Sequence, residues 1–225
     1  MRSKSSTGVR VSFKSVADWV TISSLATAGG TLVLAGATFT AVRSSNRSAR
    51  IAEQALKEQR RPLLVHARLD DPLQKVMFVE GHWIRTEGSQ AVVDEDSGVL
   101  YLGLPLRNVG AGIAVLQGWH PWPDLVTADV DHPPPDDFRR QVRDIYIAPG
   151  DVGMWQGALR DANEDVFRGI AAARAERRAF SVDLLYTDQV GGQRTISRFA
   201  VTPVGEDRWL GNVGLHWNLD LAGPR

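Results

Sequence analysis

The chain of 225 residues contains no cysteine. Disulfide bonds, thiol catalysis, cysteine-based metal sites and a lipidated lipoprotein cysteine are therefore excluded. The five histidines are scattered without the spacing of metal ligands, and we expect surface or hydrogen-bonded core positions for them. We predict neither a metal nor another cofactor.

Common catalytic and nucleotide-binding motifs are also missing. The sequence has no Gly-x-Ser-x-Gly elbow, no Gly-x4-Gly-Lys-Ser/Thr loop and no His-Glu-x-x-His pair. Gly110-Ala-Gly112 begins like a dinucleotide fingerprint, but a strand-like segment follows where a helix should open. We interpret these glycines as a hairpin turn and predict no catalytic residues.

Charge is absent from the 24 residues between Asp18 and Arg43. A helix over residues 19–42 would reach about 36 Å, enough to cross a hydrocarbon core of about 30 Å. The segment is weakly apolar, because Ala, Thr, Ser and Gly fill much of it. We predict a transmembrane helix at 19–42, after a basic N-terminal tail at 1–18.

Two alternatives for this segment stay open. Its small residues allow close approach of a second helix, so it could pair with another helix or serve as a plain lipid-facing anchor. A cleaved secretory signal is the alternative to a retained anchor, because the tail is basic and Ala35-Gly-Ala37 has a small-x-small form. We expect retention, since the uncharged run exceeds a signal core of about 7 to 15 residues.

Charge is unevenly distributed, although the formal net charge is zero. Residues 1–61 carry ten Lys and Arg against three Asp and Glu, whereas residues 62–225 carry 16 against 23. The flank at 43–61 has six basic residues and the N-terminal flank has four, so the positive-inside rule predicts a cytoplasmic C-terminal part. We expect a single-pass protein of the plasma membrane, with the lipid bilayer as a partner. The acidic C-terminal part argues against nucleic acid as a partner.

A helical stalk is predicted at 43–61. Apolar residues from Ala49 to Leu56 recur at three- and four-residue spacing, without Gly or Pro. Pro62 restricts the residue before it, so the helix should end near Arg60. The stripe is narrow and mostly alanine, which leaves open a solvated helix or a short seam for self-association.

From residue 62 onward the pattern changes from helical to alternating. The clearest strand is predicted at 99–107, where leucines at every second position would face one way. Pro105 cannot donate to a ladder, so we expect a free edge or a bulge there. Further strands are predicted at 63–69, 75–79, 83–86, 113–119, 143–148, 153–157, 180–187, 195–202 and 208–219.

One helix interrupts these strands. Asp161 is its predicted cap, with Glu164 three residues later, and the apolar face extends to about Arg178. About nine short strands and one crossover helix predict a mainly β fold, an antiparallel β-sandwich, for residues 62–225. A segment of this length can bury roughly 70% of its unfolded surface, so we expect a single domain.

Trp119, His120 and Trp122 are candidate binding residues at a predicted strand end. Rigid indoles around prolines make good anchors for a ligand or a protein partner. The acidic loop that follows, 129–137, offers oxygen and imidazole groups, but its three prolines stiffen it and it lacks calcium-loop spacing. The alternative is that both indoles cap the core and that the loop is solvated surface.

Four segments carry a resemblance to a known kind of protein. They are Arg43-Ser-Ser-Asn-Arg-Ser-Ala-Arg50 with Arg61-Pro-Leu-Leu-Val65, Leu106-Arg-Asn-Val-Gly-Ala-Gly112, and Tyr186-Thr-Asp-Gln-Val-Gly-Gly-Gln-Arg-Thr195. The chain resembles uncharacterised single-pass membrane proteins of high-GC Gram-positive (actinobacterial) bacteria, and its Asn-Val-Gly turn is similar to one in bacterial immunoglobulin-like modules. The resemblance implies an anchored immunoglobulin-like sandwich and assigns no catalytic residue.

Two functional hypotheses follow. The first is a membrane-anchored, non-catalytic interaction or scaffold module that binds a protein partner or self-associates through its span and stalk. The second is a membrane-tethered ligand-binding domain or enzyme, with a site where Trp119, His120 and Trp122 meet acids of the 129–137 loop. The second hypothesis requires a concave pocket at which these side chains converge.

Overall fold

The computed structural model of the protein describes residues 14–221, and one long helix, α1 (Lys14–Gln59), opens them. It starts before the predicted span, runs through the predicted stalk, and ends at Gln59, in agreement with the restriction that Pro62 imposes. The predicted tail at 1–18 lies outside the described residues as far as residue 13. Contacts divide the chain into two units, residues 1–56 and 57–225.

Side chains of α1 are exposed throughout residues 22–56. Large apolar groups such as Leu32, Leu34 and Phe39 are among them. The threonine hydroxyls bond back to the helix: Thr31 Oγ1 donates to the Thr27 carbonyl at 2.8 Å, and Thr38 Oγ1 donates to the Leu34 carbonyl at 2.7 Å. Such bonds satisfy the hydroxyl without water, as an apolar surrounding requires.

The second unit contains eleven strands and one further α-helix among its described residues. The α-helix, α2, spans Asp165–Ala175, and a short 3-10 turn lies at Pro135–Asp137. The strands are β1 (Leu64–His66), β2 (Gln74–Met77), β3 (Trp83–Thr86), β4 (Gln90–Asp96), β5 (Val99–Asn108), β6 (Ala114–Trp122), β7 (Arg139–Ile147), β8 (Val152–Leu159), β9 (Phe180–Thr187), β10 (Arg194–Val204) and β11 (Arg208–Asn218).

Nine of these strands form one curled antiparallel sheet. Their order is β1-β5-β4-β11-β10-β9-β6-β7, with β8 on the other side of β5, and β2 and β3 form a separate hairpin. The sheet folds over a shared core, so the architecture is sandwich-like and mainly β, as the alternating sequence pattern predicted. Strands β7 and β8 end the path and approach each other without pairing.

The core follows from the alternation in β5. Leu100, Leu102, Leu104 and Leu106 are all buried in it, which confirms that they share one face. The free edge or bulge expected at Pro105 is absent on one side of β5, because β8 pairs with β5 through Pro105 without a register shift. On the other side of β5, pairing with β4 extends only to Gly103 and pairing with β1 begins only at Leu106. Pro105 therefore lies between the two partners, where no strand pairing requires its missing N–H.

Helix α2 crosses from β8 to β9 and buries Phe167, Ile170 and Ala173 against this core. The predicted Asp161 cap is wrong: Glu164 occupies the cap position, and Asp161 Oδ1 instead accepts from the Asn163 amide at 2.9 Å in the preceding turn. A short Asx turn satisfies Asp161 before the helix begins.

The turn at 108–112 packs against the start of the β unit. Asn108 Oδ1 accepts from the Leu63 amide at 3.2 Å, and Asn108 Nδ2 donates to the Gly112 carbonyl at 2.6 Å. A Cβ at Gly112 would lie 1.8 Å from the Arg60 carbonyl oxygen. These glycines therefore serve a close approach of two backbone segments, in agreement with their interpretation as a turn.

Candidate functional site

The three predicted binding residues do not form one site. Successive residues of a strand point to opposite faces, so β6 separates Trp119 from His120 and Trp122. Trp119 is buried in the core, with its ring 5.4 Å from that of Trp155 in a T-shaped contact. His120 and Trp122 contact each other on the opposite face, with ring centroids 4.9 Å apart.

Trp122 belongs to a buried ion pair that sequence reasoning missed. Its Nε1 donates to Asp183 Oδ2 at 2.9 Å, and the same carboxylate accepts from Arg198 Nε and Nη2, each at 2.8 Å. Asp183 is 0% exposed and Arg198 is 2% exposed. The two face each other across the β9–β10 ladder. Bidentate geometry and the indole donor satisfy both charges, as burial of a pair demands.

The Arg198 side chain also donates hydrogen bonds to main-chain carbonyls at the start of the acidic loop. Arg198 Nη1 donates to the Val130 carbonyl at 2.7 Å, and Nη2 donates to the Asp131 carbonyl at 3.2 Å. The guanidinium also lies 5.4 Å from the Trp122 ring and 4.9 Å from the Trp217 ring. This set, which we call the Arg198 cluster (Trp122, Asp183, Arg198 and Trp217 with the carbonyls of 127–131), stabilises the fold.

The carboxylates of the 129–137 loop point outward and do not converge on the predicted residues. Asp129, Asp131, Asp136 and Asp137 are all exposed. No group of three or more potential ligands among histidine, aspartate and glutamate meets within the part of the chain that the structure describes. The pocket required by the ligand-binding or enzymatic hypothesis is therefore not formed by these side chains.

A serine and a histidine lie close together inside the sheet. Ser197 Oγ is 2.7 Å from His216 Nδ1 and 2.9 Å from the Tyr186 hydroxyl, which accepts from the Leu64 amide at 3.2 Å. Burial lowers the pKa of His216, which favours its neutral form. Ser197 is 0% exposed, so a substrate has no access to its hydroxyl in this fold. We interpret the chain of bonds as a connection between strands β1, β9, β10 and β11.

A cleft lies where β7 and β8 approach, and we call it the β7–β8 cleft. It has a volume of about 180 Å³ and is lined by four arginines and no acidic residue. The buried rings of Phe78 and Trp119 contribute to its wall. The lining arginines are Arg139, Arg140, Arg143 and Arg160.

The arginines of this cleft differ in what they contact. Arg139 pairs with Glu164, and Arg160 Nε donates to Glu80 Oε1 at 2.6 Å. Arg143 Nη2 donates to the Met77 carbonyl at 2.6 Å. Arg140 is exposed and forms no ion pair with any residue that the structure describes. The positive charges of Arg140 and Arg143 thus remain without a carboxylate partner.

Strand β7 is irregular beside this cleft. Leu116 of β6 pairs with Ile145, but Gly118 pairs with Arg140, so residues 141–144 leave the ladder with β6. Gln141 Nε2 reaches across and donates to the Gln156 carbonyl at 3.0 Å. Its amide oxygen is buried and has no hydrogen-bond partner. The bulge therefore leaves Gln141 Oε1 buried without a hydrogen-bond partner, in a segment that Arg140 and Arg143 flank in sequence.

Comparison with known proteins adds no family to this description. No family model, no curated protein and no solved structure matches the chain. A functional conclusion therefore depends on the geometry of residues 14–221.

One helix in that range is long and apolar enough to cross a membrane. This candidate segment covers Ile22–Gln59, contains a window with a mean hydropathy of 1.5, and has none of that window buried. Length and composition alone establish this property. The exposed helix, the Arg198 cluster and the β7–β8 cleft are the features on which function can be argued.

Proposed function

We propose that the protein is a single-pass protein of the bacterial plasma membrane whose immunoglobulin-like β unit acts as a non-catalytic interaction module on the cytoplasmic side. One observation carries the proposal: the uncharged segment 19–42 is helical, and its apolar side chains from Ile22 onward are exposed. Contact with lipid removes this apolar surface from water at about 25 cal/mol per Å². The internal hydroxyl bonds of this helix suit that surrounding.

The β unit supports an interaction role through where its charged groups lie. The most buried charges, Asp183 and Arg198, are saturated by each other and by the loop that covers them. Accessible charge gathers instead in the β7–β8 cleft. A rigid scaffold with an accessible charged surface suits binding, and a protein partner or a second copy of the chain is the proposed ligand.

Membrane insertion is tested by extracting membranes with alkaline carbonate. The full chain should stay with the lipid, whereas a Leu32→Arg, Leu34→Arg variant should be partly released, because each charge costs about 3 kcal/mol at a helix centre. Complete release of the unmodified chain would overturn the membrane proposal.

Orientation is tested with a thiol, since the chain has no cysteine. Ala162→Cys places one in an exposed turn before α2. A membrane-impermeant maleimide should label Ala162→Cys only after cell lysis. The same reagent should label Ser6→Cys, in the N-terminal tail, in intact cells. Labelling of Ala162→Cys in intact cells would overturn the cytoplasmic assignment and leave the span intact.

The interaction role is tested by photo-crosslinking in native membranes. A photoreactive phenylalanine analogue is placed singly at exposed positions over the β unit, including Val142, Asn163 and Val190. Adducts from a confined group of neighbouring positions support an interaction surface. Recovery of the monomer alone from every position would overturn the proposal.

A further inference from the structure

We propose that the β7–β8 cleft binds an extended segment of a partner protein in which acidic side chains alternate with apolar ones. The inference rests on the proposed interaction function and names the chemistry of its partner. Three separate observations support this inference: the charge of the cleft, its apolar surface and the backbone geometry of β7.

The charge of the cleft is opposite to that of the unit around it. Residues 62–225 contain 16 basic and 23 acidic residues, yet the cleft gathers four arginines with no acid in its lining. Glu164 and Glu80 neutralise Arg139 and Arg160 from outside. Arg140 and Arg143 keep their charge, so the cleft attracts carboxylates, and bidentate contact to a guanidinium is the strongest such contact.

The cleft also presents apolar surface. Val142 is 79% exposed and Val79 is 76% exposed, and both line the cleft beside the buried rings of Phe78 and Trp119. Two exposed valines beside arginines favour a ligand that supplies apolar groups between its charges. Free inorganic anions would leave this apolar surface in contact with water.

The backbone of β7 favours an extended ligand. This strand ends the sheet, and its residues 141–144 are outside the ladder with β6. An extended peptide along an edge strand places its side chains alternately, which matches alternating charged and apolar contacts.

Shape distinguishes this ligand from a lipid surface. A flat bilayer contacts side chains that protrude, whereas the rings of Phe78 and Trp119 lie within a concavity of about 180 Å³. A single chain with projecting side chains reaches that concavity. The observations therefore favour a protein segment, and an anionic membrane surface becomes an outcome to be tested.

The test uses the full chain in nanodiscs of neutral lipid. The probe is a fluorescein-labelled ten-residue peptide of alternating glutamate and valine, followed by fluorescence anisotropy at low salt. A peptide with glutamine in place of glutamate is the matched probe. We expect binding of the glutamate peptide and at least tenfold weaker binding of the glutamine peptide.

Variants locate the binding site. Arg140→Glu and Val142→Asp should each weaken binding of the glutamate peptide about tenfold, because both side chains are exposed and line the cleft. Arg208→Glu makes the same charge change in β11, outside the cleft lining, and should leave binding within twofold of the unmodified chain.

Several results would overturn the inference. They are no binding of the glutamate peptide up to millimolar concentration, equal binding of both peptides, or equal affinity of Arg140→Glu and the unmodified chain. If Arg140→Glu loses binding to phosphatidylglycerol vesicles but binds the glutamate peptide like the unmodified chain, the inference of a protein partner is wrong and an anionic lipid surface is the ligand of the cleft. Photo-crosslinks at other positions with none at Val142 would reject the cleft and keep the interaction function.

Discussion

Two regions of the β unit contain arginines on strands, and they differ in almost every physical respect. In the Arg198 cluster, one arginine is buried near two indole rings and donates to a carboxylate and to loop carbonyls. In the β7–β8 cleft, Arg140 is exposed and forms no ion pair within the described chain. The comparison teaches that saturation of the guanidinium, and not the presence of arginine, separates a group that stabilises the fold from one available to a partner.

The difference has an energetic basis. A buried charge is stable only while its partner and hydrogen bonds are complete, because desolvation costs several kcal/mol per ion. An exposed arginine has no such requirement, since water solvates it. Substitutions should therefore have large effects on stability in the cluster and small ones in the cleft.

The largest effect is expected for Arg198→Met. The variant keeps much of the side-chain volume but leaves the Asp183 carboxylate buried without its partner, which should cost about 3 to 5 kcal/mol of unfolding free energy. Urea unfolding of the full chain in detergent, followed by tryptophan fluorescence, measures it. Arg208→Met, in an exposed position, is the control and should change the value by less than about 0.5 kcal/mol. A loss below about 1 kcal/mol for Arg198→Met would show that the pair is solvated.

A smaller effect is expected for Trp122→Phe. Phenylalanine keeps an aromatic ring beside Arg198 but removes the N–H that donates to Asp183 at 2.9 Å. Loss of a hydrogen bond to a charged group should cost about 2 kcal/mol in the same unfolding measurement. Trp83→Phe changes an exposed tryptophan and serves as the control. Equal values for the two variants would contradict a specific role of the indole N–H.

Arg107 is intermediate in burial between Arg198 and Arg140, and the pH dependence of stability measures the contribution of its ion pair. Arg107 is half-buried and pairs with buried Asp71, and its guanidinium holds the pKa of Asp71 below its usual value of 3.8. Because the folded-state pKa is depressed, the stabilisation is complete above about pH 4 and disappears as the pH falls through the folded pKa. The free energy of unfolding of the unmodified chain should exceed that of the Asp71→Asn variant by about 1 kcal/mol at pH 7.

The difference in unfolding free energy between the unmodified chain and Asp71→Asn should shrink as the pH is lowered from 5 toward 2. Urea unfolding at a series of pH values measures it. Asparagine retains an acceptor for the Arg68 amide, which donates to Asp71 Oδ2 at 2.7 Å, so the comparison isolates the charge. A difference that is constant over this range would show that the charge of Asp71 does not contribute.

The smallest effect on stability is expected for Arg140→Gln. The side chain is exposed and unpaired within the described residues, so the unfolding free energy should change by less than about 0.5 kcal/mol. Binding of the glutamate peptide should nevertheless weaken several-fold. Destabilisation comparable to that of Arg198→Met would remove the distinction between the two regions.

Secondary structure was largely predictable from local pattern. Strand β9 was predicted at 180–187 and is observed with the same bounds, because apolar residues make up five of its eight positions and begin at Phe180. Strand β7 was predicted from residue 143 but starts at Arg139, since four charged residues and one glutamine among its first six hide the alternation. Strand β4 was missed, and its acidic end, Asp94 to Asp96, has the composition of a loop.

The candidate site was less predictable, because it depends on register and on distant strands. The period of a strand separates Trp119 from His120 and Trp122, but this separation was missed because the strand was predicted to end at residue 119, whereas β6 continues to Trp122. Pairing of Asp183 with Arg198 could also have been inferred, since both flank the turn at 188–193 at equal distance. The approach of β7 to β8 was also predictable, because the two strands are consecutive and only residues 148–151 join them. That they do not pair was not predictable, because it depends on the pairing of β7 with β6 and of β8 with β5.

The open edges of the curled sheet have a consequence for aggregation. An unpaired strand is a template for another copy, and proteins confined to one bilayer, as proposed here, meet often and in the same orientation. Arg139, Arg140 and Arg143 would bring like charges together if two β7 edges met. The residues that make this edge attractive to an acidic chain therefore keep it from forming a continuous sheet with its own kind.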